Sequence, residues 1–177
     1  MNSFEQLVQG MLEDDGYWVR SSYKADLTPA EKAKIGRPTS PRWEVDLLAY
    51  RGETNKVLVV ECKSYLDSAG VSFKSLCEDG KGAGRYKLFT EPGLRQVVFN
   101  RIKRQLVSAR AVRPNPSMTL CLAAGNIRSE ADRGRLRQHS RSVAGGFLTT
   151  RGWSTDSDRH PVGATRTTWL PRWPSSC

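Results

Sequence analysis

Between Trp43 and Tyr65 the chain reads WEVDLLAY, then RGETNK, then VLVVECKSY. Two apolar runs rich in β-branched and aromatic residues enclose a polar turn, which is the pattern of a β-hairpin. Side chains alternate along a strand, so Glu44, Asp46, Leu48 and Tyr50 share one face of the first run, and Val57, Val59, Glu61 and Lys63 share one face of the second. A hairpin folded symmetrically between Glu53 and Thr54 pairs residues whose numbers sum to 107, which sets Asp46 opposite Glu61. Cβ atoms paired in this way sit about 4.5 to 5.5 Å apart. A slip of one residue would throw Asp46 to the other side.

Two carboxylates in so apolar a hairpin repel one another and resist desolvation unless a positive charge lies between them. A divalent metal answers that need. Magnesium takes hard oxygen ligands, typically one or two carboxylates with waters and phosphate oxygens. On this reading Asp46 and Glu61 are the metal ligands, the Cys62 carbonyl adds an oxygen, and Mn²⁺ substitutes for Mg²⁺. Lys63 would orient or deprotonate an attacking water, or neutralise charge building on phosphate oxygens. Any one of these residues alone is more often a strand charge in solvent or in a salt bridge. Their joint placement is what points to catalysis.

Charge agrees with a polyanionic partner. Residues 1–67 carry 9 Lys/Arg against 11 Asp/Glu, whereas residues 68–177 carry 19 against 7, within a net charge of +10. Cations to hold a phosphate backbone and acids to hold a metal are what a phosphodiester-processing protein needs. A solubilising basic surface is the plainer alternative. The two histidines, His139 and His160, lie beyond the clearly patterned part, which argues against histidine-centred triads and metal sites. Cysteines 62, 77, 121 and 177 show no CxxC spacing, and Cys62 and Cys121 fall in apolar runs where cysteine acts as a small hydrophobe. The N-terminus lacks a signal-peptide pattern and no apolar run is long enough to span a bilayer, so the expected compartment is the cytoplasm, without membrane contact.

The 177 residues suit one compact domain and a tail. Phe4, Leu7, Val8 and Leu12 form a helical stripe over residues 3–14, with Ser3 as N-cap. A strand over 17–23 follows, then a polar connection in which Thr28, Pro29 and Glu31 start one short helical turn. The glycines of GKGAGRYK lack the spacing of a phosphate-binding loop. A long helix over 92–112 turns Val97, Val98, Ile102, Leu106 and Val107 inward and carries Arg95, Arg101, Lys103 and Arg104 on its other face. These four are the candidate nucleic-acid contacts, with a solvated helix face as the alternative. Residues 117–124 form a buried strand and 129–138 a polar helix capped by serine. The domain is therefore read as 1–139, an α/β unit in the order helix-strand-strand-strand-helix-strand-helix around a mixed sheet of about four strands. Residues 140–177 have no periodicity, no lysine and three of the five tryptophans. They read as an irregular basic tail. Codons chosen for it yield a patterned strand and helix in a shifted phase, which suggests a reading-frame shift that the encoding DNA would decide.

Asp46, followed by Glu61-Cys62-Lys63 at the end of an apolar strand, resembles the PD-(D/E)xK signature of restriction-endonuclease-like nucleases. The phrases WEVDLLAY and VLVVECKSY are most similar to those of Holliday-junction resolvases and Mrr-type restriction enzymes. The resemblance covers residues 3 to about 138, and Val45 stands where the family name has proline. It implies a restriction-endonuclease-like core, a metal site at Asp46 and Glu61, a catalytic Lys63 and a first-helix glutamate, Glu5. For Glu5 the alternative is a glutamate favouring the helix dipole. The expected activity is Mg²⁺-dependent hydrolysis of DNA by a metal-activated water. The competing reading is an inactive nucleic-acid-binding or scaffolding module of the same fold. DNA versus RNA, and whether two chains pair as a homodimer to cut both strands, stay open.

Overall fold

The computed structural model describes residues 2–39, 42–76, 83–142, 146–149 and 152–154. Helix α1 (Ser3–Asp14) is capped by Asn2, not Ser3. The Asn2 side chain accepts the Glu5 N–H, and the Glu5 carboxylate accepts the Asn2 N–H in return. The helix stops at Gly16, whose φ of 81° lets its N–H reach the Glu13 carbonyl while the Tyr17 N–H reaches Leu12. Phe4, Val8 and Leu12, one turn apart, form the buried stripe. Leu7 is 52% exposed. It lies about 100° round the helix from Val8, toward the edge of the packed face.

Strands β1 (Trp18–Ala25), β2 (Trp43–Arg51) and β3 (Lys56–Lys63) form an antiparallel meander, and β4 (Ser117–Ala124) joins β3 in parallel. The β2–β3 register is the expected one, from Leu47 opposite Val60 to Arg51 opposite Lys56. Helix α2 (Pro29–Lys34) starts at a Thr28–Glu31 capping box in the β1–β2 connection. Helices α3 (Lys87–Thr90) and α4 (Pro92–Ser108) occupy the β3–β4 crossover, and α5 (Glu130–Ser142) follows β4. The chain is thus an α/β fold with a mixed sheet flanked by helices, in the order read from the sequence. Among the described residues no helix is long and apolar enough to cross a membrane.

Two further strands correct the reading of the tail. β5 (Gly146–Thr149) pairs in parallel with β4, and β6 (Gly152–Ser154) pairs antiparallel with β5, so among the described residues the sheet has six strands in sequential order. Sheet pairing uses backbone groups, and a strand of four residues is too short to display alternation. Most of the tail, on which the reading-frame hypothesis rests, lies outside the described residues.

One face of the sheet packs Val45, Leu48, Val57, Val59 and Leu120 against Leu94, Val98, Ile102 and Leu106 of α4. The opposite face packs Leu47, Leu58, Val60, Cys62 and Cys121 against α1. A third cluster holds Leu122 and Ala124 at the end of β4 with Val71, Tyr86, Ile127 and Leu136. Cys62 and Cys121 are buried and pack as small apolar side chains, as expected. The carboxyl ends of the parallel strands β3 and β4 come together at one edge of the molecule. Open α/β sheets commonly place their ligands at such an edge.

Candidate active site

Beyond Leu47 and Val60 the β2–β3 ladder stops. Across β2, Ser22 takes a left-handed φ of 48°, and the β1–β2 pairing skips the position where Ser22 would face Asp46. The alternation of β2 breaks there, because Val45 packs with Leu48 under α4 whereas Leu47 and Ala49 pack toward α1. The Asp46 Oδ2 accepts the Cys62 N–H at 2.7 Å. Its carboxylate thus sits against the β3 main chain in the place of a ladder partner, instead of standing out from a regular strand.

Glu61 and Lys63 do stand on one face of β3. Lys63 Nζ lies 2.6 Å from Glu61 Oε1, with the two side chains 21% and 20% exposed. Nζ is also 6.0 Å from the centre of the Tyr86 ring, at the limit of a cation–π contact. Burial pushes the Glu61 carboxyl up; Lys63 opposes this and Asp46 reinforces it, leaving the pKa raised. Burial alone would lower the Lys63 pKa, but Glu61 and Asp46 outweigh it, so the ammonium persists through neutral pH. Burial, with Asp46 and Glu5, raises the Cys62 thiol, which is therefore no thiolate nucleophile.

Glu5 lies in the first turn of α1, where its alternative reading put it, and its carboxylate serves in the capping box with Asn2. Oε2 accepts the Asn2 N–H at 3.0 Å and Oε1 the Asn2 side-chain amide at 2.8 Å. It remains within electrostatic reach of Cys62, so the start of α1 borders the β3 end.

The four basic residues of α4 are not gathered at this site. Arg95 donates to the Leu88 and Phe89 carbonyls at 2.8 and 3.1 Å, tying α3 to α4. Arg101 is held by Glu31 of α2 at 2.7 Å, with its side chain 19% exposed. Arg104 lies 3.6 Å from the same carboxylate but is 71% exposed. Lys103 and Arg104 flank a cleft with Pro114 and Asn115, and the Pro114 carbonyl accepts from Asn55 in the β2–β3 turn. That turn is at the far end of β3, roughly 15 to 20 Å from Glu61 at the usual strand rise. The expectation that all four share one solvent face fails on helix geometry: at about 100° per residue Arg95 and Arg104 lie about 180° apart, and Arg95 and Arg101 fall toward the packed side, where α3 and α2 take them up.

Three residues not singled out from the sequence complete the strand edge. Tyr65 lies two residues past the end of β3, and its phenol interacts with the Tyr86 hydroxyl and the Arg85 guanidinium. Arg85 and Tyr86 belong to the GKGAGRYK segment, dismissed as a nucleotide loop for its glycine spacing. The dipeptide at its end carried the signal.

Among the described residues no three His, Cys, Asp or Glu side chains converge on a single point as a metal cluster. The strand ends offer the carboxylates of Asp46 and Glu61 and the main chain of Cys62. The N–H and C=O of one strand residue point to the same edge, so the Cys62 carbonyl shares the edge at which its N–H meets Asp46. Two carboxylates and a carbonyl suit a hard ion that keeps several waters, not a soft-ligand zinc site. The rise that Asp46 causes in the Glu61 pKa is the repulsion a cation would relieve. These are the groups that could hold such an ion, with one oxygen of Glu61 already paired with Lys63 and one of Asp46 with the Cys62 N–H. The chain matches no protein-family model, no curated protein and no solved structure.

Proposed function

We propose that the chain is a metal-dependent endonuclease that hydrolyses DNA phosphodiester bonds at the carboxyl end of β3. The observation that carries this reading is the meeting of Asp46, Glu61 and Lys63 there, with Asp46 hydrogen-bonded to the strand that bears the other two. Asp46, Glu61 and the Cys62 carbonyl would hold Mg²⁺ or Mn²⁺. When bound, such an ion supplies counter-charge for the phosphate and lowers the pKa of a water. The Lys63 ammonium, kept in place by Glu61, would donate to a phosphate oxygen as negative charge develops on it. The half-buried setting strengthens that interaction relative to water. The resemblance to PD-(D/E)xK nucleases supports the same assignment.

The test is nicking of supercoiled or branched DNA in Mg²⁺ by the full chain, with Glu61→Ala and Lys63→Ala as comparisons. Each substitution should lower the rate by about 10²-fold or more, the loss typical of removing one electrostatic stabiliser. Undiminished cleavage in both variants would remove the assignment. The use of Glu5 in capping favours a second reading, a nucleic-acid-binding module without turnover. Binding of DNA by the parent with no cleavage in Mg²⁺ or Mn²⁺ would select it.

A further inference from the structure

Beside Lys63 lies a cavity of about 430 Å³ lined by Tyr65, Ser68, Gly70, Arg85 and Tyr86. Its walls are fixed to the end of β4. Val71 bridges Ile127, the Val71 N–H donates to the Asn126 carbonyl at 3.0 Å, and the Arg128 N–H donates back to Val71 at 3.0 Å. Gly70 sits at φ 83°, and a Cβ there would come within 2.8 Å of the Asn126 backbone. Tyr65 itself is held at φ 42°, a left-handed conformation that is strained for a bulky aromatic residue. Strain of this kind concentrates at ligand-holding positions. Burial would raise the Tyr65 phenol, but its hydrogen bonds with Tyr86 and Arg85 and the charges of Arg85 and Lys63 bring it down, whereas burial and the bond to Tyr65 push the Tyr86 phenol up.

We propose that this pocket receives one nucleotide of the substrate strand, turned out of its helix, with its phosphate held by Arg85 and the Tyr65 hydroxyl next to Lys63. The inference rests on the nuclease reading above and names the part of the substrate that the site grips. The volume is near the lower end of the range of small-ligand pockets, about 300 to 1,000 Å³, so it admits a single unit and excludes a duplex. Guanidinium and phenol are donors suited to phosphate oxygens, and extrusion is least costly where a base is already unpaired. The site would therefore act on DNA with an unpaired nucleotide in preference to a perfect duplex.

Binding of the full chain to two labelled duplexes, identical except for one central unpaired nucleotide, is measured by fluorescence anisotropy in EDTA. The parent should bind the bulged duplex about tenfold tighter, in line with the contribution of one accommodated base. Arg85→Ala and Tyr65→Phe should bring that ratio close to one, while Lys34→Ala, at an exposed position on α2, keeps it. Equal affinities in the parent, or a ratio that survives in both Arg85→Ala and Tyr65→Phe, would overturn the proposal. Cleavage of the same duplexes in Mg²⁺ separates the two readings. A binding preference without cleavage removes the nuclease and keeps the pocket, whereas cleavage without a preference does the reverse.

Discussion

Replacing Asp46 separates its structural role from its chemical one. Its Oδ2 accepts the Cys62 N–H at 2.7 Å in a region where the β2–β3 ladder has already opened. Asp46→Ala leaves that N–H without its partner, at a cost of about 1 to 3 kcal/mol for a buried unsatisfied donor. Asp46→Asn keeps an acceptor oxygen and removes a charge that repels Glu61. A neutral hydrogen bond retains about 1 kcal/mol of the original contribution, so the asparagine variant should lie within about 1 kcal/mol of the parent. The alanine variant should then be less stable than the asparagine variant by about 1 to 2 kcal/mol, which for a chain of this size corresponds to about 2 to 8 °C in Tm. Urea and thermal unfolding followed by circular dichroism in EDTA would measure both differences. In the nicking assay with Mg²⁺ both variants should be impaired, since the amide cannot supply a carboxylate charge. Equal stability losses for Ala and Asn would refute the argument, because the hydrogen bond would then not be what Asp46 contributes to the fold.

Other positions give independent checks. Burial alone would raise the Glu31 carboxyl, but the Thr28 N–H and Arg101 outweigh it and the pKa is lowered. A depressed carboxylate stabilises the fold above its unfolded pKa, so Glu31→Gln should cost about 1 to 2 kcal/mol at pH 7, a gap that closes as the pH falls from about 4.5 through the folded pKa. Arg101→Ala should lower stability by about 1 to 2 kcal/mol, because Glu31 loses its close charged partner in a part-buried setting, whereas Arg104→Ala should stay within about 0.5 kcal/mol, as at most exposed sites. A Cβ on Gly125 would collide with the Ser64 carbonyl and press on Phe4 at 3.1 Å. Gly125→Ala should therefore destabilise by about 1 to 3 kcal/mol, read as a lower urea midpoint.

The hairpin register was legible because two apolar runs and a polar turn admit few pairings, and Leu47 opposite Val60 obeys the sum of 107. What the Asp46 carboxylate does was not legible. It depends on the left-handed Ser22 in a neighbouring strand and on the opening of the ladder, neither of which leaves a trace in local alternation. The same limit applies to Arg101, whose partner Glu31 comes from α2 at a separation of 70 residues. Glu5 shows how two readings of one residue coexist in a sequence. A first-turn glutamate suits the helix dipole and a metal equally, and in the fold its oxygens accept from the Asn2 main chain and side chain. Tyr65 lies past the end of β3 in a left-handed turn, so strand alternation does not reach it, and its meeting with Tyr86 required the crossover.

The parallel pairing of β3 with β4 means that residues 64–116 must be looped out before Lys63 can meet Ala124. Contacts that close so long a stretch of chain form late and slowly, while the β2–β3 hairpin is local. The two acids can thus be positioned by an early-forming unit, and the pocket wall carrying Arg85 and Tyr86 arrives with a separate, slower event. Opening that later unit would expose the amides of Val71 and Arg128 to hydrogen exchange while those of Leu58 and Val60 stay protected. The substrate grip and the metal grip proposed above would therefore belong to different cooperative units, and a mutation that loosens one need not loosen the other.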